Sequence, residues 1–237
     1  MRSSHGRRPL PAEDIRRIRR ERAEPGLLDF HYLHLKGLRD GLIRALSNVP
    51  AGAGWILDVY CGTQPYRPLL GDAKVVGLDI DSYFRRVEVI AERDLPFADE
   101  TFDLVLSTQA LYFVEDDAAL VTEMNRVVRS GGYAIVTVPY LFVKSKTGNQ
   151  RRYSAEEFSA LFSTWEALDL QLVGGIGTGF GYAAGRWLQA AVRRARWTRP
   201  LAAVLAGLVN VFGLVLDAAT RPLSRRWPAT LIAVAQR

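Results

Sequence analysis

The densest run of chemically useful residues is the turn Asp58-Val59-Tyr60-Cys61-Gly62-Thr63-Gln64-Pro65-Tyr66-Arg67. Gly62 lets backbone approach a ligand as no residue with a Cβ can. About twenty residues further on stands Asp79, at the end of Val75-Val76-Gly77-Leu78, where a carboxylate can accept hydrogen bonds from both hydroxyls of a ribose. Leu95-Pro96-Phe97, leading into Phe102-Asp103, makes an ordered edge for a flat base. These three features suit a nucleoside ligand.

The elements that must position them alternate. Trp55–Tyr60, Lys74–Asp79, Val87–Ile90, Phe102–Ser107, Tyr133–Val138, Leu168–Val173 and Thr230–Ala235 read as buried strands. Leu28, Tyr32, Leu35, Leu38, Leu42 and Leu46 follow helical spacing ahead of the first strand. Asp117 opens a helix with Leu120, Val121, Met124, Val127 and Val128 inward, which Ser130-Gly131-Gly132 is expected to stop as a glycine C-cap. Ser154 and Glu157 form a capping box for a helix running through Leu161 and Phe162. Strands alternating with helices argue an α/β fold with a parallel sheet covered on both faces. Ligands of a doubly wound sheet sit beyond the carboxyl ends of its strands, where Asp58 and Asp79 fall.

The strings Ile56-Leu57-Asp58-Val59-x-Cys61-Gly62, Gly77-Leu78-Asp79, Leu95-Pro96-Phe97-x-x-x-x-Phe102-Asp103 and Arg126-Val127-Val128-x-x-Gly131-Gly132 resemble the small-molecule class I S-adenosylmethionine-dependent methyltransferases. The resemblance runs from about Trp55 to Phe158. Pro65-Tyr66-Arg67 and Arg152-Tyr153-Ser154 look like a subgroup linked to glycan or lipid-linked biosynthesis. The resemblance implies a Rossmann-like, doubly wound, mostly parallel seven-stranded sheet with an antiparallel last strand and a helical insertion before it. It implies S-adenosylmethionine as cofactor, with Asp58 and Gly62 at the methionine half and Asp79 at the ribose, and with Tyr60, Tyr66 and Ile80 as further cofactor-binding residues. Glu92 and Arg93 would lie beside the adenine, and Ser107 and Gln109 would face the sulfonium and the acceptor. Tyr60 stands where relatives carry glycine; it either closes the methionine pocket or leans aside and covers it. Tyr112-Phe113 replaces a common Glu-His.

Methyl transfer needs alignment of a nucleophile and exclusion of water more than it needs covalent help. His31, His34, Tyr140 and Tyr153 are candidates to assist a hydroxyl acceptor as bases. Cys61 reads as packing, and no metal site is expected. A nicotinamide-binding fold would want G-x-G-x-x-G, of which Gly62 alone remains. The alternative to an O- or N-methyltransferase is a silent methyltransferase-like domain acting as a scaffold.

The formal charge of +6 is unevenly spread. Residues 1–24 carry eight Arg against four acids and residues 181–237 nine Arg against one, leaving the middle acidic by six. The chain is expected to divide into a basic arm and capping helix (1–48), an α/β domain (49–174 with 228–237) and an apolar, Arg-rich helical insertion (175–227). In the insertion a helix is legible from Ala184. Leu201–Leu216 is apolar save for Asn210, shorter than the ~20 residues of a bilayer span. Tryptophans flanking the arginines suit an anionic membrane surface contacted through 182–226. The alternative is packing on the sheet or a homodimer seam. The expected partner is a small-molecule or lipid-linked acceptor. Nucleic acid is not expected, for lack of a helix-turn-helix, RNP motif or zinc finger. With one cysteine and no apolar stretch before Gly26, the expected location is the cytoplasm, with a peripheral position at the inner face of the membrane as a further expectation.

Overall fold

The computed structural model describes residues 10–50, 54–80, 87–91, 94–140, 151–224 and 226–237. Seven strands form one sheet: β1 (Trp55–Val59), β2 (Lys74–Asp79), β3 (Val89–Ile90), β4 (Phe102–Thr108), β5 (Val128–Pro139), β6 (Ala167–Val173) and β7 (Thr230–Gln236). Their order is β3-β2-β1-β4-β5-β7-β6. β1 to β5 pair in parallel, and β7 inserts antiparallel between β5 and β6. The order reverses between β1 and β4, so the crevice of this Rossmann-like sheet opens there.

Alternation along each strand splits the core in two. Leu57, Val59, Val105, Val136 and Leu231 pack with α3 (Asp117–Val127) and α4 (Ala155–Ala160). Ile56, Leu104, Leu106, Ile135 and Ile232 pack on the other face with Leu38, Leu42 and Ala45 of α2 (Tyr32–Ser47). The capping box is present: Glu157 N–H donates to Ser154 Oγ at 3.1 Å, and Ser154 N–H to Glu157 Oε2 at 2.8 Å.

Two expectations are corrected. Ser130-Gly131-Gly132 does not cap α3. The chain turns extended at Val128, which pairs with Phe102, and the two glycines lie inside β5. There the register shifts, and Gly131 adopts φ 71 while its N–H donates to the Arg237 carbonyl. That is the behaviour of a bulge, which accepts an extra residue at the price of a local kink. The helix also starts well before Ala184. α5 (Ile176–Arg194) is followed by α6 (Arg199–Ala219) and the short α7 (Arg221–Ser224). The helical stretch Arg196–Ala219 has 24 residues and a mean hydropathy of 2.1 in its apolar window, so by length and composition it could cross a bilayer.

α5 packs on α2, and α6 on α5, as a further layer outside the sheet. Glycines permit it. A Cβ on Gly177 would collide with the Gly213 carbonyl, and one on Gly185 with the Phe30 carbonyl. Asp217 of α6 accepts from Gly177 N–H at 2.7 Å and Thr178 N–H at 3.0 Å, a carboxylate at the positive end of α5. α1 (Ala12–Ala23) buries Ile15, and Arg19 and Arg22 follow on the same face at helical spacing.

Candidate active site

The turn after β1 is held in an uncommon backbone shape. Tyr60, Gly62 and Gln64 all adopt positive φ, at 53, 53 and 49. Alternate left-handed residues coil the chain tightly between β1 and the short helical turn at Arg67–Leu70. Only at Gly62 is this conformation free of a Cβ penalty, and the space its missing Cβ would take is empty to 4 Å.

Asp79 anchors this turn. Its Oδ2 accepts from Gly62 N–H at 2.9 Å and its Oδ1 from Ile80 N–H at 2.8 Å. A carboxylate can accept about four hydrogen bonds in all, so the group both shapes the turn and can serve a ligand. Asp58, fully buried beside it, has its carboxyl pushed up to about 8 by burial first and then by the charges of Asp79 and Glu88. Asp58 is therefore largely protonated at neutral pH. The same causes raise the Cys61 thiol far above its ordinary value, so Cys61 is a packed, unreactive thiol.

Four buried polar atoms around this turn and the end of β4 have no hydrogen-bond partner among the described residues: Asp58 Oδ1, Thr63 Oγ1, Gln64 Nε2 and Ser107 Oγ. β1 and β4 are neighbours, with Asp58 opposite Leu106. Leaving such groups unpaired costs roughly 1–3 kcal/mol each. Their clustering at the carboxyl end of the sheet marks a surface built for a polar ligand. Acids on one side and hydroxyl and amide groups on the other fit an adenosyl cofactor bearing an amino acid, the group implied by the resemblance.

Gln109, at φ 54, is fixed by β5: its N–H donates to Thr137 Oγ1 at 2.9 Å and its side-chain amide to the same oxygen at 3.2 Å. Arg126 clamps the Leu95-Pro96-Phe97 edge, donating to the Leu95 carbonyl at 2.9 Å and the Phe97 carbonyl at 2.8 Å while pairing with Glu123 and Asp99. Glu92 and Arg93 lie outside the described residues.

A second group of side chains stands beside this cradle. Tyr66 and Tyr112 are buried, and burial pushes each phenol up to about 12. His34 is buried at the start of α2, edge-on to the Tyr182 ring of α5 at 5.5 Å, and its imidazole is depressed to about 4 by burial, His31 and Arg22. His31 lies 5.4 Å from the same ring and is lowered by burial and by Arg186. Arg22 of α1 acts on Tyr66, Tyr112 and His34 alike, and Arg19 donates to the Thr63 carbonyl within the turn after β1. The basic N-terminal helix thus closes over the turn. Arg22 and Tyr182 escaped the sequence reading; Ile15, Ile18, Arg19 and Arg22 sharing one helical face was the available signal.

The remaining candidates sit elsewhere. Tyr153 is buried with its hydroxyl donating to Asp117 Oδ2 at 2.6 Å, and Arg151 holds the other oxygen at 2.8 Å, which commits the phenol to bracing α3. Tyr140 follows β5, its N–H donating to the Ala229 carbonyl at 2.9 Å, and packs on the core. Tyr60 is buried in the cluster of Val59, Leu78, Leu111 and Tyr112. Among the described residues no group of three metal-ligating side chains occurs.

Residues 57–136, from β1 into β5, match the family model described as a methyltransferase domain. A demethylmenaquinone methyltransferase of Bacillus licheniformis is 35% identical over 108 residues, 38% of this chain and 46% of the relative. A fatty-acid O-methyltransferase of Mycolicibacterium smegmatis is 32% identical over 102 residues, 35% of this chain and 36% of the relative. The chain spans less than half the length of these two curated relatives. Among solved structures, the [4+2]-cyclase SpnF matches with a TM-score of 0.56 and 17% identity over 84% of this chain and 81% of its own. An S-adenosylmethionine dependent methyltransferase from Mesorhizobium loti matches with a TM-score of 0.52 and 15% identity over 84% and 98%. At such identities the structures speak for the fold. The sheet is Rossmann-like, and its first five strands carry the stretch that is similar to a methyltransferase domain.

Proposed function

We propose that the protein transfers the methyl group of S-adenosylmethionine to an oxygen or nitrogen of a small acceptor with an apolar, lipid-like body. The observation that carries this is the set of unpartnered buried atoms, Asp58 Oδ1, Thr63 Oγ1, Gln64 Nε2 and Ser107 Oγ, beside the open face of Gly62. When bound, the cofactor supplies a methyl already activated on a sulfonium. Asp58 and Gly62 would hold its methionine half and Asp79 and Ile80 its ribose. Ser107 and Gln109 border the side from which an acceptor approaches.

The protein's own contribution is alignment and dryness. Tyr66, Tyr112, His34 and Tyr182 wall the acceptor side with rings. His34 is held neutral by its burial, its imidazole lowered to about 4, and adds a further ring to that wall. The apolar character of the acceptor is supported by those rings and by two relatives whose names carry demethylmenaquinone and fatty acid.

Calorimetry with S-adenosylhomocysteine tests the first half of this reading, with micromolar binding expected. No detectable heat would return the chain to the scaffold reading. Radiolabelled methyl transfer to a panel of quinols, fatty acids and lipid-linked sugars tests the second half.

A further inference from the structure

The outward side of α6 carries an apolar stripe that no described residue covers. Leu201, Val204, Leu208, Val211, Phe212 and Val215 are all exposed, Leu208 by 64% and Val215 by 61%. They recur every three or four residues over roughly 21 Å of helix at 1.5 Å per residue. Phe180 of α5 extends the stripe, its ring 5.6 Å from that of Phe212. Leu27 and Leu28, both exposed, join it from the segment before α2. That segment is fastened to α6, because Asn210 donates its side-chain amide to the carbonyls of Leu27 at 2.7 Å and Asp29 at 3.0 Å.

Along α5 and α6 the exposed charges are arginines, while Glu24 and Asp29 flank Leu27-Leu28. Arg193, Arg194, Arg196 and Arg199 are exposed where α5 turns into α6, and Arg221 and Arg226 are exposed at the far end. Asp217, the one acid in residues 181–237, is turned inward onto Gly177 and Thr178. Trp187 and Trp197 stand 83% and 82% exposed beside the arginines. A protein partner would leave these cations to find acids one by one. A surface of phosphates meets them all while its apolar layer takes the stripe.

We propose that the α5–α6 hairpin docks this protein on an anionic lipid bilayer, the outward face of α6 and Leu27-Leu28 entering the headgroup–acyl boundary and the arginines meeting lipid phosphates. The helix lies along the surface and does not cross it. Its inner face is bolted to the body by the close approach of Gly213 to Gly177, by Asn210 and by Asp217. Insertion across the bilayer would break each of these. The docked face leads to the site: Leu27 and Leu28 run directly into His31 and His34, beside Tyr182. An acceptor with a long tail could then present its head from the membrane, a consequence resting on the methyl-transfer reading, whereas docking itself does not.

The test is flotation of the full chain with vesicles of phosphatidylcholine alone or mixed with phosphatidylglycerol. Flotation on the mixed vesicles at low salt, weakened by high salt, is expected. Leu208→Asp with Val215→Asp should lower the partition coefficient by about tenfold or more, given the apolar area withdrawn. The variant's thermal unfolding and S-adenosylhomocysteine binding should match the parent's, which separates lost docking from a lost fold or a lost cofactor site. A parent protein that stays at the bottom at low salt overturns the proposal. So does a lipid-free dimer, by light scattering, that the double substitution splits into monomers. Resistance to alkaline carbonate extraction would overturn the surface geometry in favour of a span.

Discussion

Tyr60 holds a left-handed backbone that costs a residue with a Cβ roughly 1–2 kcal/mol, yet its ring is buried in the core. Two opposing contributions therefore meet at one position, and a pair of substitutions separates them. Tyr60→Ala loses the ring and keeps the penalty; Tyr60→Gly loses the ring and relieves it. The glycine variant should unfold at higher urea than the alanine variant, by about 1 kcal/mol. Asp58 gives a second test. Its proton is held up to about pH 8 in the free protein, so a cationic ligand seated against it should expel that proton. Calorimetry in buffers of different ionisation enthalpy at pH 7 should show proton release approaching one, fading as the pH passes 8. Asp79→Ala should weaken S-adenosylhomocysteine binding by more than tenfold, since Asp79 also fixes Gly62. An unaltered affinity would remove Asp79 from the site. Asp58, Gly62 and Asp79 were legible because a strand end, a glycine and an acid about twenty residues on lie in one local pattern. Arg22 and Tyr182 were not, since they reach the site from helices far apart in the chain, and no local spacing encodes that meeting.

Local pattern also explains which elements could be read. The strands alternate with helices and carry short apolar runs or, as in β6, strict alternation, so all seven were visible. The first half of α5 was not. Ile176-Gly177-Thr178-Gly179-Phe180-Gly181 holds three glycines, each costing about 1 kcal/mol in a helix relative to alanine. Isolated, this stretch would be loop; packed, it is helix, because Gly177 lets the α6 backbone approach and Gly181 makes room for Leu33 of α2. Tertiary contact overrides propensity here, and it did so at Gly131-Gly132 as well, where pairing with Arg237 draws the chain into β5. Two helical glycines should answer an alanine in opposite ways. At Gly185 an alanine would drive its Cβ into the Phe30 carbonyl, and backbone cannot step aside as a side chain can. Gly185→Ala should therefore destabilise by about 1–3 kcal/mol despite its better propensity. At Gly37 the added Cβ meets only Val173 Cγ1 at 3.4 Å, an ordinary contact. Gly37→Ala should be neutral or stabilising by up to about 1 kcal/mol. Urea unfolding of the two variants beside the parent checks both signs.

Across the whole molecule, buried ionisable groups around the site tie stability to pH in opposite directions. His34 is depressed to about 4, so between there and its ordinary 6.5 the unfolded chain binds more protons than the folded one. Its contribution is fully present above pH 6.5 and is lost as the pH falls towards 4. His31, also lowered, acts in the same sense. Asp58 is raised to about 8 from an ordinary 3.8, so the folded chain binds the extra proton across that span. Its contribution is present in acid and is lost as the pH rises through 8. Where the windows overlap, from about 4 to 6.5, the slopes offset one another; above 6.5 the Asp58 slope stands alone. Substitution should therefore uncover whichever slope remains. His34→Gln, which packs a neutral side chain at that place, should make stability fall with rising pH through the overlap, by up to about 1.4 kcal/mol per pH unit relative to the parent. Asp58→Asn should instead abolish the decline between pH 6.5 and 8 and steepen the loss on the acid side. Urea unfolding at a series of pH values reads both. Parallel pH profiles for parent and His34→Gln would mean that the imidazole titrates as it does in water, and that the wall formed by α2 and α5 is open to solvent.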